Sequence, residues 1–382
     1  MRTTRGKPSF GRILLGRREL AEAMADALTA QEPVDRGTHG FHTYPAGLHP
    51  DAARDLLRLF PSRAVLDPFC GGGTVLVEAR AAGRRAVGRD LSTVAIRVAR
   101  ARTATPDDAT LTAMRSRARR LTEAARHATE PPPDRILEAV AEWYAPHALA
   151  ELECLRRGVA DSDAAIRPYL EAVLSSILVK VSWRRSDTSS KRVRHRRPPG
   201  TTAILFHKKT RELARRMIAL RQVVPAGTPD VDLAVEDARR LSAVGPVDLV
   251  VTSPPYPATY DYLSMQHLRR VWLGADRAER TNREIGPRRD WRELGARGGR
   301  RQWADATGAW TASVARCLAP AGALVVVIGD GLTPAGEVDA SAVTESAARE
   351  AGLESVARAS LERPDHARER TRWEHVFAFR KP

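Results

Sequence analysis

The sequence predicts an α/β protein: a mainly parallel sheet with helices on both faces, into whose connections a helical subdomain is inserted. Three observations carry that prediction. Between Ala64 and Asp90 a strand, a glycine-rich turn, a helix and a second strand ending in an acid follow one another. A further strand-like run, Val247 to Val251, is stopped by Thr252-Ser253-Pro254-Pro255-Tyr256. From about Pro106 to Val224 the pattern is helical, rich in alanine and arginine, and broken only by Pro131-Pro132-Pro133 and Pro198-Pro199. At 382 residues the chain can bury a full core, as one large domain or two ordinary ones.

Taken in order, residues 1–37 form a helical arm, with an amphipathic stretch over roughly Arg18 to Ala30. Residues 38–104 form the first half of the α/β domain. It opens with the turn-rich segment Thr38 to Pro50, in which histidines and aromatics interleave, and continues with a helix from Asp51 to about Leu59. Ala64 to Asp67 is a buried strand, Gly71-Gly72-Gly73 the turn, and Thr74 to about Ala82 a helix. Arg84 to Asp90 is the second strand and Leu91 to Ala101 the second helix.

Glycines after the first strand let backbone amides approach a ligand closely, and an acid at the end of the second strand suits ribose hydroxyls. Here Asp90 follows Asp67 by 23 residues. The G-x-G-x-x-G spacing of dinucleotide sites is absent, and Asp67 at the loop would repel a pyrophosphate. A cationic ligand with an adenosine moiety fits better, and S-adenosylmethionine is such a ligand.

Residues 105–224 are the inserted, mostly helical and basic subdomain. Its Trp183 to Arg197 stretch carries seven Lys or Arg against one acid, Asp187, with small hydroxyls between them. Such residues are the usual phosphate contacts, and equally a solvated basic loop. Residues 225–382 resume the α/β pattern. Val231 to Asp237 is a third strand ending in acids and Val247 to Val251 the fourth. Proline lacks an N–H and fixes φ, so the Pro254-Pro255 pair ends that strand and holds the Ser253 hydroxyl, a carbonyl and the Tyr256 ring in one corner. In open α/β sheets, ligands bind at that end of the strands. Tyr260, Tyr262 and Trp272 mark a wall or helix over the site. Residues 276–303 are expected as a charged loop or lid, with Arg297, Arg300 and Arg301 beside Gly298-Gly299. A turn at Leu318 feeds a fifth strand ending near Asp330, and Leu353–Ala359 pairs antiparallel with His375–Phe379.

Composition narrows the function. The chain carries 62 Lys and Arg against 46 acids, a net charge of +16, which suits a polyanionic partner. The excess is nearly all arginine, which is also the bias of a GC-rich genome. The amino terminus lacks an apolar h-region and no apolar run is long enough to span a bilayer, so a cytoplasmic location is expected. Cys70, Cys154 and Cys317 show no C-x-x-C spacing, and His39, His42 and His49 have no cysteine or carboxylate cluster beside them, so no metal is expected.

Asp67-Pro68-Phe69-Cys70-Gly71-Gly72-Gly73-Thr74 and Ser253-Pro254-Pro255-Tyr256 resemble the cofactor and catalytic motifs of the amino methyltransferases that use S-adenosylmethionine to methylate exocyclic amines of DNA bases. Tyr44-Pro45-Ala46 and Pro50 resemble the segment before the cofactor strand in that group, whereas Gly72 stands where serine is common. The likeness covers roughly 38–104 and 230–382 and leaves out the insert. It implies a Rossmann-like class I methyltransferase sheet. It places Asp67, Pro68, Phe69, Gly71, Gly73 and Thr74 against the methionine part of the cofactor, Asp90 on the ribose hydroxyls and Asp237 near the adenine amino group. Tyr44 and His42 either floor that pocket or are packed, Asp237 is alternatively a helix-capping acid, and Cys70 is a packing residue.

For the reaction, the resemblance implies that Ser253 and the Pro254 carbonyl, fixed by Pro255, accept the two amino N–H bonds of the base, and that Tyr256 stacks on its face. Serine before Pro-Pro-Tyr goes more often with cytosine N4 than with adenine N6. A covalent intermediate is unnecessary, and the Pro-Cys nucleophile of carbon-5 methylation is absent. The implied partner is double-stranded DNA with the base flipped out, a cognate restriction endonuclease being left open. The insert then reads the target, with Arg184, Arg185, Lys191, Arg192, Arg194, Arg196 and Arg197 on phosphates. The competing readings are adenine-N6 methylation of DNA, methylation of an RNA base amine, and a DNA-binding homologue without turnover.

Overall fold

The computed structural model describes residues 11–382 apart from 31, 46, 188, 195–196, 243, 276–283, 334 and 366–369. Twelve strands are formed among the described residues: β1 (Arg12–Gly16), β2 (Ala64–Asp67), β3 (Arg85–Asp90), β4 (Arg184–Ser186), β5 (Ser189–Arg192), β6 (Asp232–Val235), β7 (Val247–Thr252), β8 (Leu318–Gly329), β9 (Gly331–Thr333), β10 (Gly336–Val338), β11 (Glu354–Asp365) and β12 (Arg370–Arg380). Eight of them build the central sheet in the order β1-β11-β12-β8-β7-β2-β3-β6. Strands β6, β3, β2, β7 and β8 run parallel, while β12, β11 and β1 continue the sheet antiparallel. From β2 the chain winds outward through β3 to β6, then returns to β7 on the other flank of β2. The topological switch therefore falls between β2 and β7, and the crevice beyond their C-terminal ends is where such sheets hold ligands.

Side chains along the central strands alternate between two cores. Val65, Leu249, Val251, Val325 and Val327 pack against the helices Arg18–Leu28, Pro50–Leu59 and Thr74–Ala81. Leu66, Val250, Leu324, Val326 and Ile328 pack on the opposite face against Gly295–Cys317 and Ala340–Glu350. Helices thus cover both faces, as the near-continuous apolar strands require. The fold is therefore α/β, a central and mainly parallel sheet with helices on both faces, as the sequence predicts.

The insert forms five helices, Asp108–Arg126, Asp134–Val140, Pro146–Ala160, Arg167–Val181 and Thr201–Val223, together with the β4–β5 hairpin. Its apolar core continues without a break into Phe41 and into Leu268, Val271 and Trp272 of the helix His267–Trp272. The element that follows the Pro-Pro corner is therefore fastened to the insert.

Three expectations are revised. The amino-terminal helix forms as Arg18–Leu28, but β1 before it pairs with β11 and makes the sheet's last strand rather than part of an arm. The expected lid is largely helical, as Arg288–Glu293 and the long Gly295–Cys317, with 276–283 outside the described residues. Gly299 lets Trp291 lie on the long helix: a Cβ there would stand 2.7 Å from Trp291 Cδ2. Trp272 turns into the insert, edge-on to Tyr144 at 6.0 Å between centroids, and forms no wall over the site. The antiparallel terminal pair forms as expected and is longer, β11 with β12.

Candidate active site

Strands β2 and β7 deliver Asp67 and Ser253 to the same crevice because they are neighbours in the sheet and both end there. A cavity opens at this point. Tyr44, Asp67, Pro68, Phe69, Gly71, Thr74, Asp90 and Asp237, all expected at a cofactor, line it together with Ser253 and Pro255. Gly73 does not. Its φ of +80° starts the helix Thr74–Ala81, and a Cβ there would stand 3.0 Å from that of Ala99, so its work is close helix packing.

Asp67 is the electrostatic centre of the cavity. The Thr252 hydroxyl donates to its Oδ1 at 2.7 Å and the Phe69 amide at 3.1 Å. Burial nevertheless outweighs these bonds and, with help from the charge of Asp90, raises the carboxyl to about 7. No salt bridge to a cation is formed by Asp67 among the described residues. Asp90 accepts from the Gly71 amide and the Ser92 amide, both at 2.8 Å, so it fixes the glycine loop from the end of β3. Asp237 lines the cavity and also caps the turn Ala238–Arg240, with a paired guanidinium from Arg239 at 2.7 Å.

The glycine loop is held from behind by a buried chain of polar groups. Arg102 donates to the Gly72 carbonyl at 2.7 Å and to His39 Nδ1 at 2.9 Å, and His39 Nε2 lies 2.6 Å from Glu78. An arginine can only donate, so Nδ1 accepts and the histidine hydrogen sits on Nε2 towards Glu78. Burial lowers the His39 pKa, in keeping with that neutral ring. Tyr44 closes the loop from the front: a Cβ on Gly72 would stand 3.0 Å from Tyr44 Cβ and 2.7 Å from the Arg102 guanidinium. This is the physical reason for glycine at a place where serine is common in the resembling family. His42 does not floor the pocket; it is buried against Ser175 of the insert, at 2.9 Å, and burial holds it well below its ordinary pKa. Cys70 is buried and its thiol pushed far up by burial, so it packs and does not react.

A second cavity adjoins the first, lined by Pro254, Tyr256, Tyr260, His49, Arg372 and Glu374. Ser253 and Tyr262 line both. Tyr256 is not an open plate. A Cβ on Gly329 of β8 would stand 2.6 Å from its ring, and the Arg372 guanidinium lies 5.7 Å from the ring centroid. Its hydroxyl donates to Glu374 Oε1 at 2.9 Å, with the Ser253 side chain beside it. Burial, with Glu374 beside it, keeps the phenol protonated far above its ordinary range. Glu374 is held in turn by Arg363 at 3.1 Å.

Glu374, Arg372 and Arg363 are the members that sequence reasoning missed. They sit on the β11–β12 hairpin, more than 100 residues after the catalytic motif, and only the pairing of Glu374 with Gly329 brings them under Tyr256. No local pattern announces them.

The basic run divides. Arg184, Arg185 and Arg197 line a groove at the foot of the β4–β5 hairpin. Arg192 and Arg194 lie over the Trp183 ring at 4.9 and 5.2 Å, Lys191 is exposed, and Arg196 is outside the described residues. Asp330, Asp339 and His375 also lie close together, but the two acids cap the helix Ala340–Glu350, accepting from Ala340 and Ser341, both at 2.8 Å. No helix among the described residues is long and apolar enough to cross a membrane.

No curated protein sequence matches the chain. Among solved structures it is similar to TrmN from Thermus thermophilus, with 13% identity over 95% of this chain and 53% of that one and a TM-score of 0.34. It is similar also to an S-adenosylmethionine-dependent methyltransferase from Methanosarcina mazei (11%, 89% and 98%, 0.34) and to the rRNA methyltransferase AviRa from Streptomyces viridochromogenes (13%, 89% and 88%, 0.32). The chain thus spans about half the length of the TrmN structure. Residues 39–147 match the family model described as "RMKL-like, methyltransferase domain". The segment that builds the glycine loop, Asp67 and Asp90 is therefore similar to a methyltransferase domain, whose cofactor is S-adenosylmethionine.

Proposed function

We propose that this chain transfers a methyl group from S-adenosylmethionine to an exocyclic amino group of a base in DNA, cytosine N4 ahead of adenine N6. The observation that carries the proposal is that Ser253 lines both the cavity of Asp67 and Asp90 and the adjoining cavity of Tyr256. The cofactor fits the first cavity on its donor set. A buried carboxylate raised to about 7 gains most from a cationic ligand, and the loop around Gly71, at φ +48°, brings main chain close where a side chain would collide with Tyr44. Asp67 would face the charged methionine part and Asp90 the ribose. When bound, the cofactor supplies a methyl group on a sulfonium as the electrophile.

The remaining work belongs to the chain. An aromatic amine is a weak nucleophile because its lone pair is delocalised into the ring. The Ser253 hydroxyl oxygen has lone pairs to accept one amino N–H while the Pro254 carbonyl accepts the other. Both interactions draw the nitrogen towards sp³ and aim its lone pair at the first cavity, and the proton that the amine sheds as it gains the methyl group passes to solvent water. Glu374 and Arg363 fix Tyr256 and through it Ser253, which makes them positioning residues. Flipping the base costs a few kcal/mol. Stacking on Tyr256, with the Arg372 guanidinium displaced, returns about 1–3 kcal/mol. The choice of cytosine rests on the resemblance, in which serine before Pro-Pro-Tyr goes more often with cytosine N4 than with adenine N6.

The test is transfer of labelled methyl from S-adenosylmethionine to duplex DNA, transfer RNA and ribosomal RNA by the purified protein, followed by nucleoside separation. N4-methylcytosine from DNA supports the proposal. N6-methyladenine overturns the choice of base, and label in RNA alone overturns the choice of substrate.

A further inference from the structure

The groove at the foot of the β4–β5 hairpin is lined by Lys180, Arg184, Arg185, Arg197 and Arg269, with Asp187 as its only carboxylate among the described residues. Asp187 is committed to Arg269, which grips it with both terminal nitrogens, one of them at 3.2 Å. Arg184 is committed too, donating to the carbonyls of Ser189 at 3.0 Å and Met265 at 3.2 Å. Lys180, Arg185 and Arg197 form no salt bridge among the described residues, and the Arg197 Nε is buried without an acceptor. Burial and neighbouring Lys209 push the Lys180 ammonium below its ordinary pKa, as befits a cation set among cations. Other partly buried arginines do meet carboxylates, for example Arg36 with Glu78 and Arg89 with Asp232. Gathering unpaired cations in a concave site costs self-repulsion that an anion relieves.

We propose that this groove is a phosphate-binding site that grips the backbone of the nucleic-acid substrate near the target base, an inference that rests on the proposed function. Two guanidinium groups and an ammonium lining one groove suit the charge and the several acceptor oxygens of a phosphate. Position argues for a backbone phosphate rather than a free one. Thr43 and Pro45 line the groove, Tyr44, Pro45, Gly47 and Leu48 the cofactor cavity, and Gly47, Leu48 and His49 the acceptor cavity. One strap thus borders all three, and seven residues reach at most about 25 Å. At roughly 3.4 Å per nucleotide along a strand, the groove lies within about seven nucleotides of the acceptor cavity.

The test compares two triple variants of equal charge: Lys180→Gln, Arg185→Gln, Arg197→Gln in the groove, and Arg115→Gln, Arg119→Gln, Arg120→Gln on the exposed face of Asp108–Arg126. Affinity for a mixed-sequence DNA duplex is measured against salt. The groove triple is expected to weaken binding on the order of tenfold and to flatten the slope of log K against log salt by about 0.9 for each phosphate that is no longer neutralised. The control triple is expected to do neither. Arg185→Glu, a charge reversal at an exposed side chain, gives the same readout without touching packing. Equal effects of the two triples, or an unchanged slope in the groove triple and in Arg185→Glu, would contradict the proposal. So would tight binding of inorganic phosphate with duplex affinity untouched by the variants, which assigns the groove to a small phosphate ligand. Calorimetric binding of S-adenosylmethionine keeps the two readings apart: no binding by the unaltered protein sinks the proposed function, whereas a flat salt comparison sinks only the groove.

Discussion

At the scale of single residues, Asp67 makes the sharpest prediction because its environment opposes its charge. Without a cationic ligand the carboxyl titrates near 7, against an ordinary 3.8. Between those values the folded protein holds a proton that the unfolded chain has released, so ligand-free stability falls as pH rises from about 4 to about 7 and then levels. Asp67→Asn removes that slope and is expected to raise the unfolding midpoint at pH 8. For S-adenosylmethionine the sign is opposite: affinity is full above about pH 7 and falls as pH drops below it, with a proton released on binding. Calorimetry in two buffers of different ionisation enthalpy measures that proton. Asp67→Asn should weaken the cofactor by roughly 10-fold or more, as expected when one charge-assisted hydrogen bond is removed.

Glu374 offers a second residue test. It holds Tyr256 and lies outside the cavity of Asp67, so Glu374→Gln should lower kcat by about 10-fold through a displaced Tyr256 and Ser253 and leave cofactor affinity unchanged. Tyr256→Phe should act in the same direction, and Tyr256→Ala should add the loss of stacking, about 1–3 kcal/mol in binding of the base.

At the scale of elements, the glycine loop is clamped between Tyr44 and the chain Arg102–His39–Glu78. Burial lowers the Arg102 pKa to about 10 and its guanidinium has no room to withdraw. Gly72→Ser, which restores the residue common in the resembling family, is therefore expected to destabilise by about 1–3 kcal/mol and to weaken the cofactor, as thermal unfolding with and without it would show. Elements whose cause is local were readable from the sequence: the strand and turn around Asp67, the strand ending in Asp90, and the proline stop at Ser253. The helix Gly295–Cys317 was not, because its start is charged and glycine-rich, and the packing of Trp291 on Gly299 leaves no local mark. Glu374 and β1 were hidden for the same reason, both being placed by strand pairing across the chain.

At the scale of the whole molecule, the sheet order sets the switch point between β2 and β7, and every other feature of the site follows from it. The cavity of Asp67 lies over the end of β2, that of Tyr256 over the end of β7 and the terminal hairpin, and Ser253 borders both. The insert shares one core with the helix His267–Trp272, so a polynucleotide bound at the insert would be registered against the catalytic corner. The central claim is that Ser253 presents a DNA base amine to the cofactor. Its most direct test is nucleoside mass spectrometry of DNA from cells making the intact protein or its Ser253→Ala variant. N4-methylcytosine in the first and at least about 100-fold less in the second is the predicted result. Equal methylation by both proteins, or DNA left unmodified by the intact one, would contradict it.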